Sequence, residues 1–578
     1  MENESNESYS FKYISHPGKL LVRHLENVGK ISSETVAEKS LNMENADLLK
    51  DAAYIIGVTH DLGKATNFFQ EYINEKDEKR KRALKARDNT HHGLLSAFFT
   101  YEIIKEFLKQ SENNGTLAEY LPILSFLAVK RHHGNLHNAL DEITDMYSDR
   151  EKVLMVAKEQ IAAMDRSEVN EILTKLLKEK VKRINIDNII NYILKEAPRD
   201  IGRKEKGLVR DLGEKVDLYP YFLSQFLYST LLNADKTDAG LDGIDLKRLD
   251  LAANLVDKYR DKHNFSTNQK NINSLRNQIY EEAVERITKW NLEEKILSLN
   301  VPTGTGKTLA SLSLALKLRD RLKNDRNFTP RIIYALPFLS IIDQNYEVFN
   351  EVVVPDGDLK NTRLLLRHHH LADVNFKMDD SEFEEDKADK SLSLLEGWNA
   401  EIIVTTFWQL FNTLFSNRNR QLRKFNKLTS SIIILDEVQA VPHQYWQLIH
   451  DALKLLCEKF NSYVIFVTAT QPLIFEEAKG EIKEIAQRKE EYFRGLNRIE
   501  LIPRIEKSLT LDEFKALLKN DLNEKKAKDF LIVLNTINSA NNVYDFLKSL
   551  DLENTKMFYL STNVVPKERL NGSVPKFL

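Results

Sequence analysis

Apolar and polar residues follow two different rhythms along this chain. Up to about residue 240 the apolar positions recur at helical spacing, as in Leu20-Leu21, Leu25 and Val28, and again in Ile123-Leu124 and Leu127-Ala128. That period leaves one apolar stripe per helix and predicts a set of amphipathic helices packed on one another. Segment 150–215 keeps the helical pattern but is rich in Lys and Glu of mixed sign, which reads as a solvated face rather than a binding tail. Around 241–270 the pattern loosens into Asp, Lys and Asn, and 246–270 reads as a linker. Short β-rich runs follow: Ile296-Leu297-Ser298-Leu299, Ile332-Ile333-Tyr334-Ala335, Ile402-Ile403-Val404, Ile432-Ile433-Ile434-Leu435 and Val464-Ile465-Phe466-Val467. Helical stretches separate them, and strands that alternate with helices imply a parallel sheet covered on both faces. Phe530-Leu531-Ile532-Val533-Leu534 reads as a strand of another α/β unit that starts near 509. The pattern thus predicts a multidomain chain: all-α over 1–245, α/β over 271–508, and the beginning of a second α/β unit over 509–578. The acidic run 379–389 reads as a solvated loop.

Composition changes this picture little. At 578 residues, and about 150 residues per domain, three or four units are expected. With 42% hydrophobic and 29% charged residues the chain is an ordinary globular one, able to bury real cores. Its one cysteine, Cys457, excludes an internal disulfide and fits a reducing compartment. The first residues are polar and acidic, and no run approaches the roughly 18 apolar residues of a membrane span. A cytoplasmic monomer with no membrane partner is expected. The net charge of −3 gives no bulk case for nucleic-acid binding, so a DNA site has to be a local patch. No internal repeat is present.

The first candidate chemistry is a phosphate loop. Val301-Pro302-Thr303-Gly304-Thr305-Gly306-Lys307-Thr308 follows a predicted strand and precedes an amphipathic helix over 309–322. Backbone N–H groups at that helix N-terminus suit phosphate oxygens, and the helix dipole favours their charge. Gly304 and Gly306 allow close approach. Lys307 is placed to reach the β/γ-phosphates of ATP, and the Thr308 hydroxyl to hold Mg²⁺. The strict loop pattern wants Gly where Val301 stands, whereas the helicase variant Pro-Thr-Gly-x-Gly-Lys-Thr fits. Its partner is Ile434-Leu435-Asp436-Glu437-Val438-Gln439. Asp436, at the end of a buried strand, suits Mg²⁺, and Glu437 suits a water-orienting role in in-line phosphoryl transfer. Hydroxyls of Val467-Thr468-Ala469-Thr470-Gln471-Pro472 could couple this site to movement of a second domain.

Together these segments resemble superfamily 2 helicases. Ala335-Leu336-Pro337-Phe338 and Val404-Thr405-Thr406-Phe407 look like that family's DNA-contacting motifs, which touch the phosphate backbone without reading sequence. A basic loop, Arg418-Asn419-Arg420-Gln421-Leu422-Arg423-Lys424-Phe425, either adds phosphate contacts or is a solvated surface loop.

The second candidate chemistry is a histidine set. Eight of the 14 histidines fall before residue 140. Arg23-His24-Leu25, His60-Asp61-Leu62-Gly63-Lys64, His91-His92-Gly93 and His132-His133-Gly134 sit on or beside predicted helices, and Asp235 sits in a further one. Imidazole and carboxylate together suit Mn, Fe, Co, Ni or Zn. His60-Asp61-x-Gly63-Lys64 resembles the HD phosphohydrolase superfamily. That resemblance implies one metal on His24, His60, Asp61 and Asp235, and a second on Asp61, His92, His132 and His133. It gives Lys64 a non-bridging phosphate oxygen. His92 is preferred to His91 by its spacing to Ser96-Ala97, though the two are exchangeable at this point. His16, His137 and Asp238 are assigned supporting roles.

An HD-type domain ahead of a superfamily 2 helicase resembles the CRISPR-associated nuclease-helicases of type I systems. Ser15-His16-Pro17, the doubled His132-His133, Asp436-Glu437-Val438-Gln439, Leu560-Ser561-Thr562 and Pro566-Lys567-Glu568-Arg569 carry that likeness. It implies an all-α HD-type domain, a RecA-like parallel-sheet domain and the beginning of a second RecA-like domain. It also implies recruitment by an RNA-guided surveillance complex, cutting of single-stranded DNA, and ATP-driven 3′-to-5′ translocation. No Gln-x-x-Gly-Arg-x-x-Arg segment with an arginine finger occurs, so a weak ATPase is expected of this chain. Two rival readings stand beside this one. They are an HD nucleotide phosphohydrolase regulated by ATP, and a shortened protein that binds DNA or the surveillance complex without translocating.

Overall fold

A short hairpin, β1 (Ile14–His16) and β2 (Lys19–Leu20), feeds directly into helix α1 (Leu21–Ala37). Leu21, Leu25 and Val28 form the buried stripe of α1, and His24 lies on the same face, fully enclosed. Helix α2 (Ala46–Thr59) packs along α1. Helices α3 (Gly93–Gln110) and α4 (Thr116–Arg131) form a second pair. Helix α5 (Leu218–Leu241) lies against α1 and α4 and closes the bundle. Phe222, Leu223, Phe226, Leu227, Tyr228, Leu231 and Leu232 of α5 are all buried. A helix apolar on every side must be covered on every side. The second cover comes from the other half of the chain, where Phe425 and Phe460 pack edge-on to Phe222 and Phe226 at ring distances of 5.3 and 5.9 Å.

The structure, a computed structural model, describes residues 11–561 except 112–114, 216, 242–247, 266–270, 355–361, 369–395, 471–472, 497–499, 526–528, 551 and 553–554. The acidic run 379–389, Gln471-Pro472, Thr562 and 566–569 therefore lie outside the described residues. The chain divides into two units, residues 1–496 and 497–578. The helical half and the first α/β half thus belong to one body. No helix among the described residues is long and apolar enough to cross a membrane.

Among its described residues the α/β half holds seven strands: β3 (Ile296–Asn300), β4 (Arg331–Leu336), β5 (Leu365–His368), β6 (Ile402–Thr406), β7 (Ser431–Asp436), β8 (Tyr463–Thr468) and β9 (Lys483–Glu484). They run in the order β5-β6-β4-β7-β8-β3-β9, and every pairing is parallel. β4, β7 and β8 are buried along their whole length, which is why their sequences are continuous apolar runs rather than alternating ones. Strands β5 and β9 were not expected. The first is half polar and the second two residues long, so neither has a period to read.

Two expectations need correction. Segment 246–270 is more than a linker: it contains a helix, Leu255–Lys262, whose Val256 is fully buried. Before that helix, Arg248 clasps Glu401 through Nε at 2.8 Å and Nη2 at 2.7 Å. Residues 530–534 form no strand, and Leu531 and Val533 are 91% and 81% exposed. A strand needs a neighbour to complete its ladder. The second unit offers two helices, Leu511–Glu524 and Ile537–Ser549, and no strand among its described residues.

Glu401 yields a stability prediction. It is 2% exposed and also meets Arg319 at 3.0 Å. Burial opposes its charge, but the bonds from Arg248 and the charges of Arg248, Arg331 and Arg319 prevail and lower its carboxyl from 4.5 to about 2. A depressed carboxyl stabilises the fold fully above pH 4.5 and progressively less as pH falls toward 2. Glu401→Gln leaves buried guanidinium groups unpaired and is expected to lower unfolding free energy by about 3 kcal/mol near neutral pH. Urea unfolding should also show that this difference shrinks in acid; a pH-independent difference would refute the charge account.

Candidate metal centre and nucleotide site

The histidine set converges at the ends of helices α1 to α4, and α5 adds Asp235. His60 follows the last turn of α2 and His132 the last turn of α4. Each Nδ1 pairs with a carbonyl three residues back, His60 with Gly57 at 2.7 Å and His132 with Val129 at 2.6 Å. Carbonyls left over at a helix C-terminus thus fix both rings as Nδ1–H donors and turn both Nε2 lone pairs inward. His24 Nδ1 pairs with Asp238 Oδ2 at 2.6 Å to the same effect. Asp238 also receives Lys19 and Asn27, so its expected supporting role has a concrete form.

Asp61 stands in the middle, wholly buried. Its Oδ1 lies 3.0 Å from His92 Nε2, 3.2 Å from His132 Nε2 and 3.9 Å from His133 Nε2. Its Oδ2 lies 3.3 Å from His24 Nε2, 3.4 Å from His60 Nε2 and 2.6 Å from Lys64 Nζ. Asp235 Oδ1 completes the second group, 3.5 Å from His24 Nε2 and 3.7 Å from His60 Nε2. Two quartets result, Asp61–His92–His132–His133 and His24–His60–Asp61–Asp235, each with ligand atoms within 4.8 Å of one another. His92, not His91, faces Asp61; His91 is exposed. His16 stands edge-on to His24 with ring centres 5.0 Å apart, and His137 is an exposed partner of Glu142. Gly63 has a steric reason: a Cβ there would meet the His92 carbonyl at 2.6 Å.

The donor set fits divalent metal. His24 Nε2 and His60 Nε2 are buried without a hydrogen bond, although carboxylate oxygens lie within reach. Lone pairs facing carboxylates repel unless a cation or a proton lies between them. The electrostatics say the same. Burial opposes charge on His24, yet the bond to Asp238 and the nearby carboxylates of Asp61 and Asp235 raise it to about 9. Burial likewise opposes ionisation of Asp61, but His60, Lys64 and His92 hold it well below the usual carboxylate range. His133 is the one member on the rim, with a side chain 55% exposed.

The candidate nucleotide site lies at the carboxyl ends of β3 and β7, where open parallel sheets bind ligands. Gly304 and Gly306 take φ of 79° and 83°, and Gly306 caps helix Lys307–Arg326. Positive φ is the reason for glycine there. Thr305 Oγ1 donates to the Pro302 carbonyl at 2.7 Å, and Arg276 Nε to the Gly304 carbonyl at 3.0 Å, fixing the loop that also carries Thr303 and Thr308. Lys307 Nζ lies 2.9 Å from Glu437 Oε1. Glu437 has a left-handed φ of 56°, rare outside glycine and typical of functional turns. Gln439 Nε2 donates to Glu437 Oε2, and Thr468 Oγ1 donates to Gln439 Oε1 at 2.7 Å. Sequence reasoning missed Tyr334, whose buried Oη donates to Asp436 Oδ2 at 2.5 Å. Burial raises Asp436, and the Tyr334 bond holds that rise in check.

The basic loop is neither a solvated loop nor wholly free for phosphate. Leu422 and Phe425 pack on the helical half, Arg423 and Lys424 are buried as well, and Arg418 and Arg420 remain exposed. Ser229 Oγ of α5 donates to the Arg423 carbonyl at 3.0 Å and accepts from Asn426 N at 2.9 Å.

Residues 14–188 match a family described as Cas3, HD domain, and residues 277–477 match the DEAD/DEAH box helicases. A Haloferax volcanii protein named CRISPR-associated nuclease/helicase Cas3 is 26% identical over 443 residues, 73% of this chain and 45% of that one. The structure of T. fusca Cas3 with AMPPNP matches at a TM-score of 0.53 and 16% identity, covering 95% of this chain and 65% of its own. T. fusca Cas3 alone matches at 0.54 and 16%, covering 97% and 66%. The chain thus spans about half the length of the curated relative and about two thirds of the solved ones. The chain thus carries a region that matches the Cas3 HD-domain family, followed by a region that matches the DEAD/DEAH box helicases, and over most of its length it is similar to a protein named as a CRISPR-associated nuclease/helicase.

Proposed function

We propose that this chain is a metal-dependent nuclease of single-stranded DNA, joined to an ATP-driven motor that translocates 3′-to-5′ and serves RNA-guided CRISPR interference. The observation that carries the nuclease reading is Asp61, one carboxylate with an oxygen turned to each histidine group. In this reading His24, His60, Asp61 and Asp235 hold one ion, and Asp61, His92, His132 and His133 the other. The mixed nitrogen and oxygen donors favour Mn, Fe, Co or Ni. When bound, such a pair supplies an activated water and a Lewis-acid clamp on the leaving oxygen. Lys64 neutralises a non-bridging phosphate oxygen from beside Asp61. The substrate enters on the side of His133, the exposed member.

At the other site, N–H groups of the loop and of the helix that starts at Lys307 cradle the ATP phosphates. Lys307 exchanges Glu437 for the β/γ-phosphates. Thr308 and Asp436 hold Mg²⁺, and Glu437, once released, orients the attacking water. The bonds from Glu437 through Gln439 to Thr468 link that residue to the next strand. Single-stranded DNA and an RNA-guided surveillance complex are the partners in this reading. Its support is the two family matches and the relative's name.

The test is cleavage of circular single-stranded DNA by the purified chain with Mn²⁺, Co²⁺ or Ni²⁺ and no ATP. Metal-dependent nicking that chelation abolishes is expected. Hydrolysis of nucleoside triphosphates without any DNA cleavage would favour a nucleotide phosphohydrolase instead.

Tyr334 supplies a check on the motor. Tyr334→Phe removes the bond that restrains Asp436, so its carboxyl moves further up. The acid limb of ATP hydrolysis is then expected at higher pH than in the parent. An unmoved pH profile would show that Tyr334 does not act through Asp436.

A further inference from the structure

Segment 417–426 connects helix Phe407–Phe415 to β7 within the motor half, yet several of its hydrogen bonds run to the helical half. Leu136 N donates to the Asn417 carbonyl, and Asn417 Nδ2 donates to the Leu136 carbonyl, both at 2.9 Å. Asn419 N donates to Asn135 Oδ1 at 3.0 Å. Its side chain reaches deeper. Asn419 Nδ2 donates to the carbonyl of His132 at 3.0 Å and of Gly134 at 3.2 Å, and Oδ1 accepts from Lys236 Nζ at 2.9 Å. His132 belongs to one quartet. Lys236 directly follows Asp235, which belongs to the other. One amide therefore ties the turn bearing His132 and His133 to the helix bearing Asp235, across the centre both surround. Only a group that donates and accepts at once can do this. Alanine would lose both links. Aspartate would keep Lys236 but set a second oxygen against the two carbonyls.

We propose that Asn419 is a positioning residue of the metal centre, contributed by the motor half, and that the spacing of the two quartets depends on it. The proposal rests on the reading of those quartets as metal ligands. Partners that orient metal ligands without touching the ion typically account for 10- to 100-fold in affinity.

The experiment is calorimetric titration of Mn²⁺ into the full chain and into Asn419→Ala, Asn419→Asp, Asn417→Ala and Asp61→Ala, with fluorescent-ATP binding measured on each. Both Asn419 variants are expected to bind Mn²⁺ about 10- to 100-fold more weakly, with ATP binding unchanged. Asn417→Ala, which loses a bond of the same segment to Leu136 but none to His132, is expected to keep the parent's affinity. In nuclease assays the half-saturating Mn²⁺ concentration should rise in the Asn419 variants, and saturating Mn²⁺ should restore the rate. A merely structural role would lower the saturated rate and leave half-saturation alone. Parental Mn²⁺ affinity in both Asn419 variants overturns the proposal. So does an equal loss in Asn417→Ala, which would assign the effect to docking of the halves as a whole. If the parent takes up no Mn²⁺, so that Asp61→Ala changes nothing in the titration, the metal-centre reading itself has failed.

Discussion

Asp61→Ala is expected to abolish metal-dependent cleavage of single-stranded DNA while leaving ATP binding intact. Asp61 is the one residue common to both quartets, so its removal strips an oxygen ligand from each. Each Lewis-acidic ion supplies several kcal/mol to the transition state, and about 1.4 kcal/mol is a factor of ten, so the loss is on the order of 10³-fold or more. The change also leaves Lys64, 3% exposed, without its counter-charge. Removing one partner of a buried pair is destabilising. Asp61→Asn keeps the shape and is the better control for folding, and it too should lose cleavage. The measurement is nicking of circular single-stranded DNA with Mn²⁺ beside a thermal melt. A well-folded Asp61→Asn protein that still cuts at the parental rate would sink the two-metal account.

Lys307→Ala is expected to do the converse: ATP binding and hydrolysis fall, while cleavage of free single-stranded DNA persists. Lys307 is nearly buried, and its ammonium sits 2.9 Å from Glu437 in the loop that cradles phosphates. Loss of one preorganised charge at a phosphoryl centre typically costs about 10²–10³ in rate. It also frees Glu437 from the ammonium that holds it. Fluorescent-nucleotide titration and phosphate release would show the loss, and the DNA assay without ATP would show the retained cutting. If Lys307→Ala and Asp61→Ala both abolish nicking of free DNA, the two sites are not separable and the division of labour proposed here is wrong.

The sequence made the chemistry more legible than the assembly. Strands β4, β7 and β8 could be read because a strand buried on both faces must be a continuous apolar run. Asp436 and Glu437 stood out because such a run ends on two acids. The histidines stood out because no core explains so many imidazoles with an adjacent carboxylate. Asp235 was reached only through family likeness, since nothing local on a long apolar helix marks it as facing His24 and His60. Strand β5, the helix over Leu255–Lys262 and the failure of 530–534 to pair were not visible. They depend on neighbours far away in the chain. The loop at 418–425 misled for a related reason. Its charge suggests water or phosphate, yet Arg423 and Lys424 are only 1% and 2% exposed. Tyr334 and Asn419 carry no motif, because each acts through a carboxylate or a carbonyl roughly a hundred residues away or more.

The packing of Phe222 and Phe226 against Phe425 and Phe460 has a consequence for how this chain could be divided. Motifs draw a border near residue 245, with a cutting half before it and an ATP-binding half after it. Burial draws none. Isolated, the first half would present the bare apolar side of α5 to water, and the second would present Phe425, Phe460 and Leu422 with nothing to cover them. A break in the backbone near that border would leave two pieces still clasped together. Either piece made alone would be an incomplete surface looking for its complement.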